Sequence, residues 1–226
     1  MELPLCETLS CRRLLPTDAA ALAALSPTFF APPRRPDPAM PASVFRLGEA
    51  RGVFAGKALA AAAAVLPLDA PEPLCAAAAA ALPLAGLRDA KTTALALPLP
   101  PAAGCARGGA ALALLLAGLP DFGPAAGRAL LCSLPARAAV GLGPQFPPQA
   151  LFDAGFVLRA LRPLYRLSAS LVFVLAPDAQ TLYNKGEKSA GGTPLRLPAA
   201  ETRQLGRLLE DGRTGIGFDG GCWLLV

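Results

Sequence analysis

Apolar and polar positions along the chain change period several times, and each change marks an element. Residues 14–25, LLPTDAAALAAL, read as the end of a strand followed by a helix. Ala21, Leu22 and Leu25 recur at helical spacing, and Thr17 or Asp18 is a natural N-cap. Residues 26–42 are rich in proline and polar residues and predict a long loop. From 43 to 66, SVFRLGEARGVFAGKALAAAAAVL predicts a β-hairpin: Val44-Phe45, a turn over Gly48 to Gly52, then Val53-Phe54 and a long apolar strand. Gly56-Lys57 offers a second turn. Alanine alone favours helix. The turns that bracket this run, and Val65-Leu66-Pro67 at its end, argue for strand. A helix is predicted from Pro73 to Leu82 by alanine content, and Pro83 stops it.

Residues 92–99, TTALALPL, alternate and predict a buried strand. PPAAGCARGG at 100–109 is a loop. AALALLLAGL at 110–119 is an apolar helix closed by Gly118 and Pro120. Residues 128–134 predict a strand, and 144–154 a loop with a short helix ending at Gly155. Residues 156–162 and 169–176 predict two antiparallel strands joined around 164–168. Lys185 to Thr193 reads as a polar, glycine-rich linker. An amphipathic helix follows, with Leu205, Leu208 and Leu209 on one face, and then a final hairpin in which Trp223 anchors the tail. Helices and strands mix around one mostly antiparallel sheet, which is the α+β class.

Composition sharpens this picture. A chain of 226 residues can bury one core of its own. With 54% hydrophobic and 16% charged residues it is the opposite of a disordered chain. The net charge of +5 is mild, the arginines are scattered and aromatics make up 6%. Nucleic-acid binding is therefore not expected, while an anionic ligand suits the charge. The apolar runs at 58–66, 76–82 and 110–117 fall short of the roughly 18 residues of a membrane helix, so no membrane association is expected. The six cysteines form no C-x-x-C pair and no secretory signal opens the chain, which predicts free thiols in a reducing cytoplasm. The absence of histidine removes imidazole chemistry and the commonest zinc ligand, and no metal site is expected. Heavy use of Ala, Leu, Pro, Gly and Arg suggests a GC-rich bacterial source.

Segment 93–119 carries the candidate chemistry: a strand, a loop of small residues, then an apolar helix. The first amides of a helix have no internal partner and sit at the positive end of its dipole. The N–H groups of Arg107 to Ala111 can hold a pyrophosphate there. Gly108 and Gly109 allow close backbone approach, and Arg107 adds charge. No Gly-Lys-Ser/Thr follows, which excludes a Walker loop, and no βαβ unit precedes it as a Rossmann fingerprint requires. An ordinary glycine-rich turn is the plain alternative.

The order of elements and several motifs resemble the GNAT superfamily of N-acetyltransferases over residues 12–176. Residues 177–226 would form a linker and a small C-terminal α-ββ extension. Arg12 to Leu22 resembles the family's opening strand and first helix, and the Val44–Leu66 hairpin its second and third strands. Thr93–Leu99 corresponds to the fourth strand, which lines the cofactor. Cys105-Ala106-Arg107-Gly108-Gly109-Ala110 resembles the motif Q/R-x-x-G-x-G/A, with Cys105 in the first position; a register one residue earlier puts Gly104 there. Ala150 to Phe156 resembles the end of the fourth helix, where Leu151 and Phe152 stand in the neighbourhood that often carries a tyrosine.

The resemblance implies a mixed, mostly antiparallel central sheet flanked by helices. It implies acetyl transfer from acetyl-CoA to a primary amine. Leu97 and Leu99 would flank the pantetheine arm, and Arg107, Gly108, Gly109, Ala110 and Ala111 the pyrophosphate. Strand amides would polarise the thioester carbonyl. Asp89 is a candidate base acting through water, and Tyr165 the best remaining phenol for a general acid. A homodimer is compatible with the family. Two alternatives stay open: a GNAT-like binding or regulatory module without catalysis, and an unrelated α+β protein. The last would lack a splayed pair of central strands.

Overall fold

The computed structural model describes residues 8–25, 44–46, 48–71, 73–99, 108–123, 127–136, 148–165, 168–176 and 193–226. In chain order these form β1 (Leu9–Arg13), α1 (Ala19–Leu25), β2 (Glu49–Ala55), β3 (Ala58–Pro67), α2 (Pro73–Ala79), β4 (Thr93–Leu99), α3 (Gly108–Ala117) and β5 (Ala129–Pro135). There follow α4 (Pro148–Asp153), β6 (Val157–Tyr165), β7 (Ser168–Leu175), β8 (Leu195–Pro198), α5 (Thr202–Glu210), β9 (Gly215–Asp219) and β10 (Cys222–Leu225). One sheet takes all ten strands in the order β1-β2-β3-β4-β5-β7-β6-β9-β10-β8. Its one parallel pair, β4 with β5, is joined by the segment that contains α3, since parallel neighbours need a crossover.

Helices cover both faces. α1 and α2 bring Leu22, Leu25, Cys75 and Ala78 onto Ala62, Ala64, Leu95, Leu131 and Val172. On the other face α3 and α4 bring Leu112, Leu115, Leu116, Leu151 and Phe152 onto Ala61, Ala63, Ala96, Cys132 and Phe173. This explains why the alanine run of β3 is a strand against its own propensity. It lies inside the sheet, buried on both sides, and tertiary packing overrides a local preference worth only tenths of a kcal/mol per residue.

The predicted hairpin exists, with a corrected turn. Gly48 to Gly52 does not turn; Glu49–Ala55 is one strand, and the chain reverses at Gly56-Lys57, where Gly56 takes φ 59. Residues 44–46 are helical rather than extended. The C-terminal segment extends the same sheet instead of standing beside it. Gly215 of β9 pairs with Leu158 of β6, and Leu197, Leu205, Leu209, Trp223 and Leu225 join the core that α3 and α4 build. A Cβ at Gly215 would lie 2.8 Å from Leu158 Cβ, so only glycine permits that approach. β8 was not predicted: LRLP is four residues long and ends in proline.

Candidate active site

β4 and β5 pair over Thr93–Ala96 and Ala129–Cys132, and then part. Beyond that point each follows its outer neighbour: β4 stays with β3 to Leu99, and β5 with β7 to Pro135. The cause is in the residues. The Ala129 N–H donates to Thr92 O (3.0 Å), whereas Thr93 O, facing the other way, accepts from the Leu68 N–H on the β3 side (3.2 Å). Backbone groups alternate along a strand, so positions 92, 94, 96 and 98 face β5 and positions 129, 131, 133 and 135 face β4. The next two ladder bonds would need N–H groups from residues 98 and 135. Both are proline and have none. A proline is tolerated inside a sheet where its nitrogen meets no acceptor, and here two prolines remove both of the ladder bonds that would continue the pairing.

The opening therefore presents the carbonyls of Pro98 and Ser133 and no N–H from either proline. At the place where the strands open, position 98 has no amide hydrogen to polarise a thioester carbonyl. What the opening suits is an extended ligand that brings its own N–H donors.

α3 begins at Gly108, on the crossover that leaves the open end of β4. Gly109 and Ala110 are exposed, and a Cβ on Gly109 would meet nothing within 4 Å. Ala111 is buried under the helix. The first turn thus offers unobstructed backbone to solvent while Ala111, Leu112, Leu115 and Leu116 fix the helix on the sheet. Arg107, Cys105 and the rest of the preceding loop lie outside the described residues.

The other predicted residues divide. Leu97 turns its backbone groups to β3, where it pairs with Ala64, and its side chain is packed in the core beneath α1 and α2, so neither faces the opening. Leu99 ends β4. Tyr165 ends β6, opposite Ser168. β6 runs parallel to β4 and β5, so Tyr165 lies at the same end of the sheet as the opening. Asp89 lies at the other end, before β4 begins; the strand alone puts about 17 Å between Thr93 and Pro98. Asp89 Oδ1 accepts from the Lys91 and Thr92 N–H groups, both at 2.9 Å, and its carbonyl accepts from Thr93 Oγ1. The Thr92 N–H is the first cause holding its pKa below the usual carboxylate range. Asp89 shapes a turn, and the structure does not bring it to the opening.

Two residues at the open end escaped the sequence reading. Ser133 and Ser170 are among the four buried polar side chains of the described residues. They stand on neighbouring strands one diagonal step apart, since Ser133 pairs with Val172 and Ser170 with Pro135. Ser170 Oγ has no hydrogen-bond partner among the described residues. Their only signal in sequence is a hydroxyl inside an apolar run. Cys132, on the opposite face, is fully buried, and desolvation pushes its thiol pKa far up, so it is a neutral packing group.

With this geometry in hand, the comparisons with known proteins speak to the fold. Neither a family model nor a curated protein sequence matches the chain. Solved structures do. A protein of Salmonella typhimurium described as an acetyltransferase, solved with its cofactor acetyl-CoA, is 14% identical and gives a TM-score of 0.52. That match covers 75% of this chain and 94% of the other. An acetyltransferase of the GNAT family from Streptococcus pneumoniae is 15% identical with a TM-score of 0.50, covering 76% of this chain and 100% of the other. The chain has the α+β fold of the GNAT acetyltransferases. Among the described residues no helix is long and apolar enough to cross a membrane, and no group of side chains is suited to hold a metal ion.

Proposed function

We propose that the chain is an acetyl-CoA-dependent acyltransferase that acetylates a primary amine. The observation that carries this reading is the opening between β4 and β5, made by Pro98 and Pro135, at the base of the crossover to α3. Pantetheine is an extended chain with two amide N–H donors, which matches an opening lined by carbonyls. The amides of Gly108 to Ala111 and the charge of Arg107 would hold the pyrophosphate. In the reaction the neutral amine attacks the thioester carbonyl, a C–N bond forms, the nitrogen gives up one proton to solvent, the C–S bond breaks, and the CoA thiolate takes a proton. Tyr165 is our candidate donor of that proton.

The same prolines favour a second reading. A site that lacks an N–H at position 98 lacks a donor for the developing oxyanion, whose loss in other enzymes costs about 2.7–4 kcal/mol. That suits a fold which binds acetyl-CoA and no longer catalyses transfer. Thermal unfolding with acetyl-CoA, against ATP as an anion control, tests the binding both readings share. At about 100 times its dissociation constant the ligand adds about 2.7 kcal/mol, a shift on the order of 5–10 °C for this length. Release of CoA thiol across a panel of amines then separates the two: thiol release supports transfer, and binding without release supports the silent module. No shift beyond that of ATP overturns both.

A further inference from the structure

A cavity beside β6 lies outside the strand opening. β9 meets β6 at the pair Leu158–Gly215, and above it β6 is flanked by α5. Residue 206 of α5 is glycine, and a Cβ there would stop 3.6 Å short of Leu161 Cδ2. Gly206 lines a cavity of about 340 Å³ that is partly open to solvent. Leu161 and Leu209 give it an apolar wall, and Pro83 and Leu84, after α2, border another side.

Its charge comes from Arg159. Leu158 pairs with Phe173 and Ala160 with Val172, which leaves Arg159 as the extra residue of a β-bulge. Bulges re-aim the side chain they carry. Arg159 Nη1 donates to Thr214 Oγ1 at 2.7 Å, and Thr214 is itself buried. Nη2 lies 3.1 Å from where a side chain on Gly86 would begin. No carboxylate among the described residues pairs with this guanidinium, and its partial burial lowers its pKa. The cavity's other two charges satisfy one another, Arg162 Nη1 lying 2.5 Å from Glu210 Oε1. A guanidinium that no carboxylate among the described residues offsets is thus held at the wall of a cavity that mixes this polar group and the Arg162–Glu210 pair with the apolar side chains of Pro83, Leu84, Leu161 and Leu209.

We propose that this cavity binds a small organic carboxylate, its oxygens on Arg159 and its aliphatic body against Leu161 and Leu209. A planar guanidinium matches a carboxylate in charge and shape, and the volume is at the small end of the range for ligand sites. The carboxylate can come from a free metabolite or from the acceptor amine itself, since β6 is two strands from β5, about 10 Å by sheet spacing. Binding at this site is tested apart from acetyl transfer, because occupancy is read without acetyl-CoA.

Calorimetric titration of the full chain with hexanoate, hexanamide and inorganic phosphate tests it. Hexanoate binds, hexanamide binds about tenfold more weakly or not at all, and Arg159→Gln loses about tenfold or more in hexanoate affinity. Arg196→Gln, on β8 and paired with Asp219, leaves affinity unchanged. Gly206→Met fills the cavity, keeps the charge and favours the helix, so it abolishes binding with the circular dichroism spectrum intact; it decides the matter if Arg159→Gln fails to fold. Equal binding of hexanoate and hexanamide, phosphate binding as tight as hexanoate, or Gly206→Met binding normally would each overturn the proposal. Thiol release from acetyl-CoA with 6-aminohexanoate would identify the carboxylate as the acceptor's own. Its binding without release would identify a separate ligand on the same arginine.

Discussion

Arg12 holds Asp18 through two guanidinium nitrogens, at 2.8 and 2.9 Å, and Asp18 also accepts the Leu15 N–H at 2.8 Å. The Arg12 bond first, then the Leu15 N–H, lowers the Asp18 pKa from 3.8 to about 2. A depressed folded-state pKa means that the unfolded chain binds the proton more readily. The contribution is complete above the unfolded pKa of about 4 and is lost as pH falls toward 2. Tm should therefore decline over that acid window, and Arg12→Gln should flatten the decline; equal slopes in the two proteins would exclude the pair as the cause. Thiols give a second residue-scale test. Cys11 is exposed while Cys75 and Cys132 are buried. A maleimide should label Cys11 in the native protein and reach Cys75 and Cys132 only on unfolding, as mapped by mass spectrometry. The bidentate grip on Asp18 was only half legible: Asp18 reads as a cap, but Arg12 reaches it across a chain reversal that local pattern does not specify.

Among the elements, β4 and α3 carry the proposed site, and each can be perturbed alone. Pro98→Ala gives the β4 strand its missing N–H, aimed at the Ser133 carbonyl. One more ladder bond, worth about 1 kcal/mol, should raise the Tm of the free protein by roughly 2–4 °C and narrow the opening, weakening acetyl-CoA binding. Unchanged binding with raised Tm would show that the ligand does not lie between these strands. Gly109→Asp separates binding from folding at the other end of the crossover. Its Cβ has open space, and an acidic residue in the first turn favours the helix by about 0.3–1 kcal/mol. The free protein should lose no stability, while the carboxylate repels a pyrophosphate and titration should show acetyl-CoA affinity falling. Unaltered affinity would take the pyrophosphate away from this turn. The helix at Gly108–Ala117 was readable because its signals are local: two glycines at its start, then apolar residues without charge. The opening was not. The prolines at 98 and 135 are plain in the sequence, but they matter only once Ala96 and Cys132 are known to pair.

At the scale of the whole molecule, the C-terminal segment is part of the structure it follows. Trp223 is 1% exposed and packs against Phe218 and Phe152, with ring centroids 4.7 and 6.5 Å away. Phe152 in turn contacts Phe173 of β7, 5.4 Å between centroids. The aromatic line runs from the last hairpin into the middle of the sheet, so Trp223→Ala should destabilise the entire chain. A loss of about 3–5 kcal/mol should lower Tm by roughly 6–20 °C in one calorimetric transition. A separate early transition for the tail would contradict the shared core. Trp223→Phe should cost far less, because the indole Nε1 has no hydrogen-bond partner among the described residues.

By itself the sequence determined the class of the fold and the positions of most strands and helices, the strand and helix at 93–99 and 108–117 among them. Those properties follow from period, propensity and punctuation within a dozen residues. Only the tertiary structure decided which strands became neighbours. It set the register that turns Pro98 and Pro135 toward each other, put the alanines of β3 between two helical layers, and placed Arg159 on a bulge facing a cavity under α5. Each of these depends on contacts between residues far apart in the chain, where burial on both faces and the alternation of backbone hydrogen bonds outweigh any local preference.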